Sequence, residues 1–307
     1  MQGVAGTVFQ DDILYRFGGG DPRVTIAVLD GPVDRTHDCF RGARLTPLET
    51  DSLACSGDGG RAMAHGTHIA SVIFGQPCSS VEGLTPLCRG LILPIFADFG
   101  TQCCEQEIAR AMMLALANGA HIIHLSAGRI YPGASPPALQ DVIAECARRN
   151  VLIVTGAGSE GCEGLAPNDA ANASVLAVGG IDSGGRKLTQ GGEGSYLFQD
   201  VLTPGTHVTG AALQGGIARR SGTNFAAALV TGIAGLLLSV RLKQGLPLDP
   251  RAAADAIRHG AILHRQERRL TGRDQVQSAI EWMSRRDPVV PPAVPAKSAA
   301  MRSIPAK

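Results

Sequence analysis

Residues 23–29, RVTIAVL, form an almost unbroken β-favouring run that ends on Asp30-Gly31-Pro32. A strand with one wet face alternates apolar and polar residues. A run that is apolar at consecutive positions has to be covered on both faces, which is the condition of a central strand in a parallel sheet. Similar segments recur at 91–96, 121–126, 151–155 and 175–178, with shorter strand candidates at 201–202 and 207–208. Between and after them, residues 64–74, 104–117, 137–150, 225–242 and 251–259 read as helices, and 271–283 adds a terminal one. Alternation of this kind predicts an α/β chain: a mostly parallel central sheet with helices on both faces, in three layers. In such sheets ligands collect beyond the carboxyl ends of the strands, where Asp30, Ser126 and Ser159 fall.

The chain has 307 residues, 44% of them hydrophobic, enough for a substantial core. A single domain is expected over residues 1–286, followed by a Pro-rich tail or linker at 287–307 that offers a possible partner contact. A net charge of +1 provides no concentrated positive field, which argues against nucleic-acid binding. The most apolar stretch, 225–240, contains Thr231, Gly232, Gly235 and Ser239 and is short for a span, so it reads as a buried helix and no membrane contact is expected. The first residues lack the pattern of a secretory signal, so a cytoplasmic location is expected. The eight cysteines form no CxxC pair and no zinc-finger spacing, and most read as small buried apolar residues. No metal or cofactor is expected.

Three polar positions carry the chemical question. Asp30 follows a buried strand, where a carboxylate needs a partner or a ligand. His65 and His68 stand in AHGTHIA at a helix entrance. Their spacing lacks the intervening Glu and the four-residue step of a helical zinc motif. A buried Asp beside His65 would fix the imidazole tautomer and stabilise the imidazolium when the ring acts as a base.

Taken in order, AVLDGPVDRTH, AHGTHIAS and SGTNFAAA resemble the three signature blocks of the subtilisin-like serine proteases, over roughly residues 24–283. The closing ERRLTGRDQVQSAIEW block gives a further resemblance to the proteases that mature cyanobactin precursor peptides. The resemblance implies a subtilisin-like fold, with Asp30 as the triad acid, His65 as the general base and His68 as a packing residue. It implies an extended peptide bound along Ser126, Ala127 and Gly128. It makes Asp34 and His37 supports of the acid strand, though local turn stabilisation is the simpler account, because Asp side chains readily satisfy turn backbones. Residues 76–80 contain no carboxylate, so calcium is not expected there.

Two positions depart from the family. Its nucleophilic Ser follows Gly-Thr, where this chain has Asn224. An amide has no ionisable oxygen for His65 to activate, whereas Asn is a good helix N-cap, so capping is a sufficient role for it. The oxyanion-stabilising Asn is replaced by Ser159, a shorter and freer donor. Three readings follow: an altered subtilase that binds peptides with little or no proteolysis, an active serine endopeptidase whose Ser was replaced at 224, and a scaffold or non-serine amidase or ligase in which His65 activates water or an amine.

Overall fold

The computed structural model describes residues 17–50, 60–96, 105–126, 136–158, 173–188 and 199–285. Strand β1 (Thr25–Asp30) is buried at every position. It pairs in parallel with β3 (Arg89–Pro94) on one side and β4 (Ile122–Leu125) on the other. Outside β3 lies β2 (Arg44–Pro47). Beyond β4 come β5 (Leu152–Gly156), β6 (Val175–Ile181) and β7 (Val201–Pro204), all parallel. The sheet closes with an antiparallel hairpin, β10 (Ile262–His264) and β11 (Glu267–Arg269), whose β11 lies parallel to β7. A separate antiparallel ribbon is made by β8 (Val208–Ala212) and β9 (Gly216–Arg220). The nine-stranded sheet therefore runs β10-β11-β7-β6-β5-β4-β1-β3-β2.

Helices cover both faces. Helix α1 (Arg61–Phe74), α4 (Thr223–Lys243), α5 (Pro250–Gly260) and α6 (Arg273–Ser284) share one core with Ile26, Val28, Ile122 and Val154. Helix α2 (Glu105–Ala117) and α3 (Pro137–Arg148) share the other with Ala27, Leu29, Ile123 and Ile153. The strict alternation of neighbouring strand residues between the two cores is the period-two signature of a sheet buried on both sides. The expected three-layer α/β architecture is present. Among the described residues α4 alone is long and apolar enough to cross a membrane, and 89% of that stretch is buried within the fold. A helix apolar all round, packed on β4, β5 and β6, is a core element.

Strands β2, β9, β10 and β11 were not expected from the sequence. Each is largely exposed and lies at a sheet edge or in the ribbon, so none carries the apolar run that marks the central strands. Chain reversal places β1 at the switch of the sheet: the chain leaves it toward β3 and β2, then returns on its other side to β4. That arrangement opens a crevice at the carboxyl ends of β1 and β4.

Candidate functional site

Asp30 is the last residue of β1 and, by the pleat, shares the face of Ile26 and Val28 that looks toward α1 and α4. The first turns of α1 come unusually close to the turn that follows. A Cβ on Gly66 would lie 2.3 Å from the Gly31 carbonyl oxygen, and one on Gly31 would lie 2.0 Å from that of Ala62. Two residues without side chains thus allow backbone to rest on backbone. The approach brings His65 Nδ1 to 2.8 and 2.9 Å from the two carboxylate oxygens of Asp30. Facing a carboxylate, Nδ1 donates, and Nε2 becomes the nitrogen that takes up a proton. Asp30 is fully buried while the His65 side chain keeps 27% of its surface exposed. Burial alone would push the Asp30 pKa up. The charge of His65 and hydrogen bonds from His65, Ser126 and the Gly31 N–H outweigh it and hold the carboxyl below its ordinary value.

Ser126 arrives from the neighbouring strand. Leu29 pairs with Leu125, so Ser126 stands beside Asp30, its N–H donating to the Leu29 carbonyl at 3.1 Å. Thr155 in turn pairs with Leu125, which sets Gly156 beside Ser126. Across these two strand ends lies the start of α4. The Asn224 side-chain amide donates to the Ser126 carbonyl at 3.4 Å, and a Cβ on Gly156 would meet Asn224 Oδ1 at 2.5 Å. Asn224 does not cap the helix. Gly222 holds that position at φ +153°, a backbone conformation that favours glycine, and Asn224 lies inside the first turn with its amide turned to β4. The next residue, Phe225, sets its ring 5.2 Å from that of His65 and 4.9 Å from that of His68.

Asp30, His65, Ser126 and Asn224 therefore gather at the carboxyl ends of β1, β4 and β5. Ala127, Gly128 and Ser159 lie outside the described residues. His68 is buried, and its Nε2 donates to the Val208 carbonyl at 3.1 Å, tying α1 to the ribbon. Burial pushes its pKa down to about 3, so it stays a neutral packing residue. His37 reaches the ribbon as well, donating from Nε2 to the Gly216 carbonyl at 2.9 Å. Asp34 accepts from the Thr36 N–H at 3.0 Å, a local turn contact, and its own N–H donates to Thr67 Oγ1 on α1 at 2.9 Å.

One residue near the site was not singled out from the sequence. His124 is wholly buried in β4, with Nε2 2.9 Å from Ser126 Oγ and Nδ1 3.0 Å from Thr231 Oγ1 on α4. Burial pushes its pKa down to about 4. The available signal was positional: two residues before Ser126, it shares that residue's face of the strand.

An imidazole oriented by a buried carboxylate is equipped to take a proton from a neighbouring group and return it. The side chain that α4 brings to Ser126 and Gly156 is an amide, which offers no attacking oxygen. Comparison with known proteins agrees with the architecture. The subtilase family model matches residues 21–282. A mutant of the protease domain of PatA is 38% identical, with a TM-score of 0.78, covering 86% of this chain and 96% of that one. The prenylagaramide maturation protease PagA is 38% identical, with a TM-score of 0.77, covering 89% of this chain and 98% of that one. Subtilisin amylosacchariticus from Bacillus subtilis subsp. amylosacchariticus is 28% identical over 233 residues, 74% of this chain but only 58% of that protein's length. With one continuous match across the sheet and both helical layers, this chain belongs to the subtilase family.

Proposed function

We propose that this protein is a subtilase of the precursor-peptide maturation type that binds an extended peptide, and that the chain as it stands hydrolyses amide bonds very slowly or not at all. The observation that carries the reading is the seat of Asn224: it lies over Gly156 and Ser126 beside an intact Asp30–His65 pair, so orienter and base are present while the attacking oxygen is missing. The likeness to a maturation protease supports the substrate class. Peptide pairing along Ser126, Ala127 and Gly128, and a hydrogen bond from Ser159 to a developing oxyanion, complete the proposal. A cytoplasmic location belongs to the same proposal.

Labelling with a serine-directed fluorophosphonate, alongside cleavage of a peptide library, tests it. The unmodified chain is expected to show neither reaction, and Asn224→Ser to show both. Adding Ser159→Asn should raise turnover further, by roughly 100-fold or more, the usual worth of one oxyanion donor. His65→Ala should abolish each gain. Peptide hydrolysis by the unmodified chain that depends on His65 would overturn the proposal in favour of water activated by the imidazole. A folded Asn224→Ser protein that neither labels nor cuts would overturn the assignment of Asn224 to the nucleophile position.

A further inference from the structure

We propose that Arg220 is a specificity-determining residue of the peptide site, binding a carboxylate that the peptide itself carries. Arg220 closes β9 and pairs with Val208 across the ribbon, as Ala218 pairs with Gly210. Residues directly opposite in an antiparallel pair share a face, and along each strand the face repeats at every second residue. Arg220, Val208, Ala218 and Gly210 therefore stand on one side of the ribbon. That side looks at α1, since a Cβ on Gly210 would lie 2.6 Å from the His68 ring. Arg219 pairs with Thr209, so it takes the opposite face, and it is exposed there.

Arg220 is half-buried, yet among the described residues no carboxylate, carbonyl or hydroxyl meets its guanidinium. Its charge falls on His68 instead, where after burial it is the strongest influence keeping that ring neutral, ahead of His65. A guanidinium that has given up part of its water without gaining an acceptor is unfavourable. A fixed cation one helical turn from His65 also opposes the positive charge that His65 takes on as a base. An anion brought by the substrate removes both penalties. The anion a peptide supplies is a carboxylate, and the flat fork of a guanidinium holds it by two parallel hydrogen bonds. The reach is short. Asn224 lies four residues beyond Arg220, a span of at most about 14 Å, so the carboxylate belongs within about four residues of the peptide bond seated at Asn224.

The inference rests on the peptide-binding reading and adds to it the chemical class that is read. Capture tests it without turnover. A library of otherwise neutral peptides, each with one Glu at a varied position or Gln in its place, is made with free and with amidated C-termini. It is passed over the immobilised protein, and the retained peptides are counted by mass spectrometry. The unmodified chain is expected to enrich Glu peptides over their Gln counterparts by roughly 10-fold, the worth of one charge-assisted contact that stays partly solvated. Arg220→Gln should remove the preference, and Arg220→Glu should turn it toward peptides in which Lys replaces Glu. Arg219→Gln, the same loss of charge on the other face, should leave it unchanged. Enrichment of free over amidated C-termini, lost with Arg220→Gln, supports the proposal with the terminal carboxylate as the group bound. Equal capture of Glu and Gln peptides, with free and amidated ends alike, overturns it while peptide binding stands. Enrichment that survives Arg220→Gln, or that Arg219→Gln lowers as much, overturns it too. If no peptide of any kind is retained, the peptide-binding reading falls and this inference with it.

Discussion

A carboxylate sealed from water, as Asp30 is, lies several kcal/mol uphill unless charge and hydrogen bonds compensate it. Here His65, Ser126 and the Gly31 N–H all converge on one side chain, which holds the anion in place and with it the orientation of the imidazole. Asn224 is held by different means. The hydrogen bond from its Nδ2 to the Ser126 carbonyl is long, at 3.4 Å, and its position is set more by Gly156, whose missing side chain leaves the room that Oδ1 occupies. Gly156→Ala puts a methyl group 2.5 Å from that oxygen and 2.9 Å from Thr223 Oγ1, and should destabilise the protein by about 1–3 kcal/mol. In an Asn224→Ala background the nearer atom is gone and the same change should cost distinctly less, a coupling that urea unfolding of the four proteins of a double-mutant cycle measures. Equal costs in both backgrounds would mean that Gly156 does not shape the seat of Asn224.

Elements are positioned at this site by close approach. The contact of α1 with the turn after β1 has backbone on both sides, so there is no flexible side chain to give way. Gly66→Ala, with its Cβ 2.3 Å from the Gly31 oxygen, should therefore lower stability by roughly 3 kcal/mol or more and loosen the His65–Asp30 contact. Ala64→Gly, two residues earlier on the same helix, should cost only about 1 kcal/mol of helix propensity. Thermal unfolding of the pair checks this, and comparable losses would remove the close-approach argument. The same contact explains why this part of the site was legible in the sequence: DGP after an apolar strand and HGTH at a helix entrance are glycines whose neighbours carry the chemistry. The central strands were legible for a related reason, since β1, β4 and β5 are apolar at successive positions. Helix α1 begins at Arg61 and not at Ala64; Ala62 and Met63 in its first turn are only part-buried and do not extend the buried face read from Ile69, Ala70 and Ile73. Strand β2 and the β10–β11 hairpin are held in the sheet by strands distant in the chain, β3 and β7, and being short and exposed they carry no apolar pattern that announces them. His124 was missed because a histidine inside a strand looks like any interior residue until the register shows what stands beside it.

Across the whole molecule, closing α1 and α4 over one face of the sheet seals His68 and His124 away from water, both as neutral rings. The consequence is a stability that depends on pH with a definite sign. In the folded protein their pKa values lie at about 3 and about 4, against an ordinary value near 6.5 in the unfolded chain. Between these limits the unfolded state binds more protons, so acid favours unfolding and stability rises with pH. The stabilisation from each neutral ring is fully present above about pH 6.5. It declines as pH falls, and levels off only below the folded value. At pH 5 each histidine should have lost about 2 kcal/mol relative to neutral pH. His121, also shifted down by burial, adds a loss of the same sign. Asp30 enters later: its folded pKa is depressed, so its contribution persists above the ordinary carboxylate value and is lost only as pH falls through the lower, folded one. Urea unfolding at pH 7 and pH 5 should thus reveal a loss of several kcal/mol in a range where carboxylates are still ionised. His68→Gln removes one of the titrating rings and keeps a donor for the Val208 carbonyl, so it should shrink the difference by about 2 kcal/mol whatever it does to stability at pH 7. A stability that is flat between pH 7 and pH 5 would mean that one or both rings open to water or take up a proton in the folded state.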